Sequence, residues 1–175
     1  MNRREIIEEL KKIKNKDNID EIKIGIQGLI DNLEAIKGSV VSLYSDGTAL
    51  ENNGPGAAAF ILKDETGKTI FKKGIYISEK TTNNVAEYRA LLEGLNFLIG
   101  NGFRKVKIYS DSSLVINQLK GNYKIRDQRL AKFAIEIMNK LKSMDYYELI
   151  NIPRDQNKEA DTLAVTVVNL KQDIE

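Results

Sequence analysis

The chain has 175 residues, 42% of them apolar and 30% charged, with a net charge of +2 and neither cysteine nor histidine, which is one domain of ordinary globular composition with room for a core. The missing residues exclude disulfides, thiol chemistry, serine–histidine and cysteine–histidine nucleophiles and the usual zinc ligand, so any metal must be held by oxygen, which favours Mg²⁺ or Mn²⁺. The apolar runs fall short of the ~20 residues of a membrane span, and the charged opening MNRREIIEEL is no secretory signal, so a cytoplasmic location without a membrane partner is expected.

Residues 1–37 read as two helices. Ile6, Leu10 and Ile13 mark one apolar stripe. After a cap at Asp17 or Asn18, Ile22, Ile26, Leu29, Ile30, Leu33 and Ile36 form a second, which Gly25 and Gly28 weaken and Gly38 stops. Amphipathic helices this short cannot bury their faces alone. They pack on the rest of the chain, on a copy of themselves or on a partner. The chain thus divides into a helical extension over 1–38 and a main unit over 39–175.

From Val40 the pattern turns to strands: VVSLYSD (40–46), AAAFILKD (57–64) and TIFKKGIYIS (69–78). A loop from Asn52 to Gly56 precedes the second. Asp64–Glu65–Thr66–Gly67 joins the second and third as a hairpin turn. The long helix NNVAEYRALLEGLNFLIG follows, with Val85, Leu91, Leu92, Leu95 and Leu98 on its buried face and Gly102 as a stop. Next come the strand KVKIYSD (105–111) and the helices SLVINQL and QRLAKFAIEIMNKLKSM. The strand YYELINIP then ends on Pro153, and NKEADTLAVTVVNL is the last helix. The order βββαβααβα predicts an α/β fold with one mixed five-stranded sheet, its first three strands antiparallel, flanked by helices.

Four carboxylates stand out. Asp46 ends the first strand beside Gly47, as a turn aspartate also would. Asp111 ends the fourth strand where a helix begins, which also suits an N-cap. Glu87 lies in the first turn of the long helix, and Asn84 to Glu87 has capping-box spacing. Asp161 borders the apolar stripe of the last helix. If the first and fourth strands are neighbours, Asp46 and Asp111 meet beyond the carboxyl ends of the sheet, where open α/β sheets bind ligands. Carboxylates placed together repel unless a cation neutralises them. Several acids without histidine therefore predict divalent metal. Two ions roughly 4 Å apart suit in-line attack of water on a phosphodiester. Residues 120–132 add a basic patch of Lys120, Lys124, Arg126, Arg129 and Lys132 around Tyr123, with Asp127 as the one acid. It suits either a phosphate backbone or a solvated helix start.

From about Val40 to Leu170 the chain resembles a type 1 ribonuclease H, of the branch that lacks the catalytic-loop histidine and includes archaeal-type members. "YSDG" resembles the first catalytic motif, with Asp46, and "TTNNVAEYRALLEGL" the second, with Glu87. "IYSDSSLVINQL" resembles the third, with Asp111, and "IPRDQNKEADTLA" the fourth, with Asp161. The resemblance implies cleavage of the RNA strand of an RNA/DNA hybrid by two Mg²⁺ or Mn²⁺ ions, leaving 5′-phosphate and 3′-hydroxyl ends. It implies that Asp46 bridges both metals, that Glu87 and Asp111 complete one site, with Glu87 near the ribose 2′-hydroxyl, and that Asp161 helps to hold the other. Gly47, Asn83, Asn84 and Ser113 are implied nucleic-acid contacts.

Two departures matter. Many members carry a catalytic-loop histidine before the last aspartate and this chain has none; Arg154, seven residues before Asp161, resembles the arginine of the histidine-lacking branch. It stays charged at neutral pH, so it cannot be a base, but it can steady a phosphate or expel product, or simply pair with Asp155 or Glu159. The helix pair around 118–132 is too compact for the family's basic protrusion, so Tyr123, Lys124 and Arg126 are expected to supply the hybrid contact. Residues 1–37 contain no aromatic residue and balance their charges, which suits packing, self-association or a protein partner better than hybrid binding. The competing readings are a broader nuclease of the same fold that also cuts double-stranded RNA or DNA, and a non-catalytic nucleic-acid or protein-binding module.

Overall fold

Strict alternation builds the centre of the sheet. Val41 and Leu43 in β1 (Val41–Ala49) and Val106 and Ile108 in β4 (Lys105–Ser110) are fully buried, with partly exposed residues between them. The two strands pair in parallel, Val41 opposite Val106 and Leu43 opposite Ile108. The computed structural model describes residues 3–14, 19–51 and 53–175, so the expected cap at Asp17 or Asn18 and the loop residue Asn52 lie outside the described residues.

β2 (Gly56–Lys63) pairs antiparallel with β1, and β3 (Thr69–Ser78) antiparallel with β2. β5 (Tyr146–Asn151) pairs in parallel with β4, and the order is β3-β2-β1-β4-β5. The mixed sheet and the element order are those expected. The 64–67 turn is also present. The Asp64 carboxylate accepts from the Thr66 and Lys68 backbone N–H groups at 2.9 and 3.0 Å, and Gly67 takes φ +84°.

One face of the sheet carries α3 (Asn83–Gly100), α4 (Ser113–Leu119) and α5 (Gln128–Lys142); the other carries α6 (Lys158–Leu170). Leu91, Leu95 and Leu98 of α3 and Ile137 and Leu141 of α5 fill the larger core with Leu43, Phe60 and Ile108. Val85 stays partly exposed at its rim. On the other face Val167 and Val168 pack with Ala57, and Ile174 of the C-terminal tail bridges to Gly74 at the edge of β3.

Three boundaries differ from expectation. β1 runs past Asp46 to Ala49, so Gly47 is a strand residue and not a turn. The fifth strand stops at Asn151, two residues before Pro153, which has no N–H to extend a ladder. Thr82, not Asn84, caps α3: its Oγ1 accepts from the Val85 N–H at 3.4 Å.

α1 (Arg3–Lys14) and α2 (Ile19–Gly38) pack on each other. Ile13 and Leu29 are buried. Gly25, expected to weaken α2, admits the other helix, since a Cβ there would lie 2.8 Å from Ile13 Cγ1. Ile7, Leu10, Ile26 and Ile30 remain exposed. The side chains of Leu33 and Ile36 lie outside the described ones. A Glu5–Lys68 ion pair links α1 to the β2–β3 turn. Among the described residues no helix is long and apolar enough to cross a membrane.

Candidate active site

Asp46 reaches the site because of strand pleat. Leu43 faces the larger core, so Tyr44 and Asp46 point to the opposite face of the sheet. Tyr44 stacks there on Tyr109 of β4 at 4.7 Å. Asp46 is 5% exposed. On the α3 side Gly47 lies against the helix start, where a Cβ would come within 2.0 Å of the Ala86 carbonyl carbon and 2.1 Å of the Glu87 nitrogen. Glycine here serves close approach, and it brings Glu87 to Asp46. The Asn83 Oδ1 accepts from the Ala49 N–H at 3.0 Å and ties the end of β1 to the first turn of α3.

Asp111 follows β4 directly. Its turn is pinned by Ser110, whose Oγ accepts from the Ser112 N–H at 3.1 Å and whose carbonyl accepts from Asn151 Nδ2 at 2.9 Å. Ser112, not Asp111, holds the cap position of α4, and its side chain makes no capping bond. Asp111 is thereby free of the capping role. Asp161 enters from the first turn of α6, where Arg154 Nη2 donates to its Oδ1 at 2.7 Å. Arg154 therefore pairs with the fourth acid, not with Asp155 or Glu159. Glu159 instead meets Lys63 at 2.8 Å.

Asp46, Gly47, Thr48, Asn83, Glu87, Asp111, Arg154 and Asp161 line one cleft of about 300 Å³. Asn84, Ser113, Tyr123, Lys124 and Arg126 are not in its lining; all five are exposed. Arg129 and Lys132 line a separate groove with Lys80, Thr81, Val85, Phe133 and Glu136. The Asp127 carboxylate caps α5 through the Arg129 N–H at 2.7 Å.

The cleft's electrostatics follow from crowding. Burial first, then the charges of Asp111 and Asp161, push the Asp46 carboxyl up to about 7, against the pull of Arg154 and the Gly47 N–H. Burial, then Asp46 and Asp111, raise Glu87 well above the ordinary carboxyl range. The Asp161 contact holds Arg154 more firmly charged. Among the described residues no three acidic side chains stand close enough together to hold a metal ion as they are. The donor set nevertheless fits a hard divalent cation. Its donors are carboxylate oxygens from four elements, and two of them resist ionisation unless positive charge arrives.

Sequence reasoning missed Asn157, which precedes α6 and is 1% exposed. Its Nδ2 donates to the Ser45 carbonyl at 3.0 Å and to Asp111 Oδ1 at 2.6 Å. An asparagine before a helix reads as a cap, yet this side chain makes no capping bond. The available signal was its place four residues before Asp161, one helical turn away.

The sheet order and the acids gathered where the β1–β4 pairing ends define a ribonuclease H-like fold. The chain matches the reverse transcriptase-like family over residues 44–167 and belongs to it. It is 33% identical to ribonuclease HI of Halobacterium salinarum over 128 residues, which are 73% of this chain and 64% of that protein. The match thus spans less than two thirds of that relative's length. The crystal structure of RNase H1 from the same archaeon superposes with a TM-score of 0.72 at 31% identity, covering 75% of this chain and 98% of the other. LC11-RNase H1, solved in complex with RNA/DNA hybrid, superposes with a TM-score of 0.70 at 31% identity, over 75% of this chain and 98% of that one.

Proposed function

We propose that this chain is a ribonuclease H that cuts the RNA strand of RNA/DNA hybrids, leaving 5′-phosphate and 3′-hydroxyl ends. The observation that carries the reading is the convergence of Asp46, Glu87, Asp111 and Asp161, from four segments of the chain, on one cleft where the β1–β4 pairing ends. Asp46, at the centre of the repulsion, would bridge two divalent ions, Mg²⁺ or Mn²⁺. Glu87 and Asp111 would complete one site and Asp161 would contribute to the other. Bound there, such ions supply the positive charge that activates water and steadies the leaving oxygen. Glu87 would also stand near the ribose 2′-hydroxyl, the group that marks RNA. Arg154 holds Asp161 without nucleic acid and turns to the phosphate or the product when Asp161 is engaged. Its charge fits it for binding an anion and not for taking a proton.

Gly47, Asn83, Asn84 and Ser113 are the proposed contacts nearest the cut. Gly47 has no side chain, so backbone can approach backbone there. Tyr123, Lys124 and Arg126 would meet the hybrid further out, where exposed cations beside an aromatic favour phosphate and base. The test is cleavage of a labelled hybrid with Mg²⁺, with Mn²⁺ and with chelator, beside Asp46→Asn. Metal-dependent cutting of the RNA strand that needs Asp46 supports the reading. A folded protein that cuts under neither ion refutes it and leaves the binding-module alternative. Duplex RNA and duplex DNA run in parallel decide breadth.

Residues 39–175 would form the catalytic unit and 1–38 an extension, in keeping with a family match that begins at residue 44. The cysteine-free composition suits a cytoplasmic setting. The extension's exposed Ile7, Leu10, Ile26 and Ile30 call for a cover, and a second copy of the chain is the proposed one. Along α1, Glu8 pairs with Lys11 at 2.9 Å and Glu9 with Lys12 at 2.6 Å, so the charged face is satisfied within the helix and the apolar residues are what a second copy would cover. Sedimentation of the full chain beside an Ile7→Glu/Ile30→Glu variant tests this. Equal monomers rule it out.

A further inference from the structure

The buried amide of Asn157 carries an inference that rests on the cation-binding reading of the cleft. Its nitrogen faces two acceptors, the Ser45 carbonyl and the Asp111 carboxylate. Turning the amide over would set oxygen against both, so its orientation is fixed by its partners. The consequence is that Asn157 Oδ1 is buried without a hydrogen bond. Buried polar atoms are rarely left so. The arrangement gives up one satisfied atom to hold another. Asn157 also accepts the Asp161 N–H on its backbone carbonyl at 3.1 Å. One residue thus touches the strand residue before Asp46, the carboxylate of Asp111 and the backbone of Asp161.

We propose that Asn157 is a positioning residue that holds the Asp111 carboxylate at the cleft against its acidic neighbours and sets it for a divalent cation. The amide engages one Asp111 oxygen and leaves the other for the ion. It also ties β1, the end of β4 and α6 together where their acids converge.

The test is calorimetric titration of Mn²⁺ into the full chain without nucleic acid, with thermal unfolding in chelator alongside. Asn157→Ala is expected to weaken Mn²⁺ binding about tenfold or more, the usual effect of removing a partner that orients a ligand. Asn101→Ala is the control. Asn101 donates a similar side-chain bond to the Phe97 carbonyl at the C-terminal end of α3, away from Glu87, so its loss is expected to lower stability with Mn²⁺ affinity kept. Because Asn157 acts through Asp111, adding Asn157→Ala to Asp111→Asn is expected to weaken binding no further. Unchanged affinity in Asn157→Ala, or fully additive losses in the double variant, would overturn the proposal. Should Asn157→Ala fail to fold, Asn157→Ser keeps one donor and carries the same comparison. Wild-type protein that takes up no Mn²⁺ overturns the cation reading and this proposal together, whereas wild-type uptake with equal uptake by the variant overturns this proposal alone.

Discussion

Asp46 and Glu87, on the β1–α3 side of the cleft, sit among packed backbone, whereas Asp161, on the α6 side, is partnered by an arginine whose side chain is 77% exposed. The first pair is fixed by close approach: Gly47 against α3, and Asn83 bonded to Ala49. The second is fixed by one ion pair at the surface. The buried half holds carboxyls that burial and mutual repulsion keep from ionising, with Arg154 pulling only partly the other way, and the exposed half pairs with that arginine directly. On the proposed reading, the difference separates the side that would need metal from the side that would respond to phosphate.

The sharpest way to break the comparison is Asp46→Asn. It changes charge and little volume, so cleavage is expected to fall at least about a thousandfold, a loss of roughly 4 kcal/mol in the barrier. In chelator at pH 8 the same variant is expected to be more stable than wild type, by roughly 1–4 kcal/mol, because it removes a buried charge that lacks a counterion. Hybrid-cleavage kinetics and urea unfolding check the two halves. A destabilised variant would contradict the account of the buried side. Gly47→Ala comes next: with backbone atoms where its Cβ must go, the expected loss is about 3 kcal/mol or more, read as a lower midpoint in thermal unfolding.

The strands were legible because alternation exposes their faces, as Val41, Leu43, Val106 and Ile108 show, and helix repeats placed α3 to α6 in the same way. What escaped was decided between elements. Gly47 looks like a turn in sequence, but it pairs with Ala58 of β2 as a strand residue, and α3 packs against its bare Cα. TTNN offers four adjacent capping residues, and Thr82 is the one with the extended backbone of a cap, φ −106° and ψ 156°, and a side chain on the Val85 N–H. Arg154 has acids nearby in sequence at Asp155 and Glu159, but the first turn of α6 presents Asp161 to it. Asn157 was hidden for the same reason, since its partners are 112 and 46 residues away. The four acids were visible as motifs. Their crowding, and so their unequal ionisation, belongs to the packed structure.

The pH profile sharpens the comparison with a smaller effect. The folded protein keeps the Asp46 proton up to about pH 7, while the unfolded chain loses it near its ordinary 3.8. The folded state therefore binds more protons across that window, and stability falls as pH rises through it. This carboxyl alone accounts for up to roughly 4 kcal/mol, and Glu87, raised for the same reasons, adds to the slope. Urea unfolding in chelator between pH 4 and 8 is expected to show the decline, and saturating Mg²⁺ to flatten it. A stability that rises across this window in chelator would sink the picture of an unneutralised buried half.

Arg154→Ala gives the smallest change and separates the two sides most cleanly. Arg154 is exposed and its 2.7 Å contact to Asp161 lies at the surface, so stability is expected to move little. Turnover on hybrid is expected to fall roughly ten- to a hundredfold, since a hydrogen bond to a charged group contributes about 1.5–3 kcal/mol. Losing the guanidinium also frees Asp161 for a divalent ion, so half-saturation by Mg²⁺ is expected at lower concentration. Arg154→Lys keeps the charge without the planar fork and is expected to fall between the two in turnover. Slower turnover with tighter metal would show that the α6 side trades its own cation for the incoming ones. An unchanged rate would reduce Arg154 to a surface ion pair and leave the chemistry to the buried half.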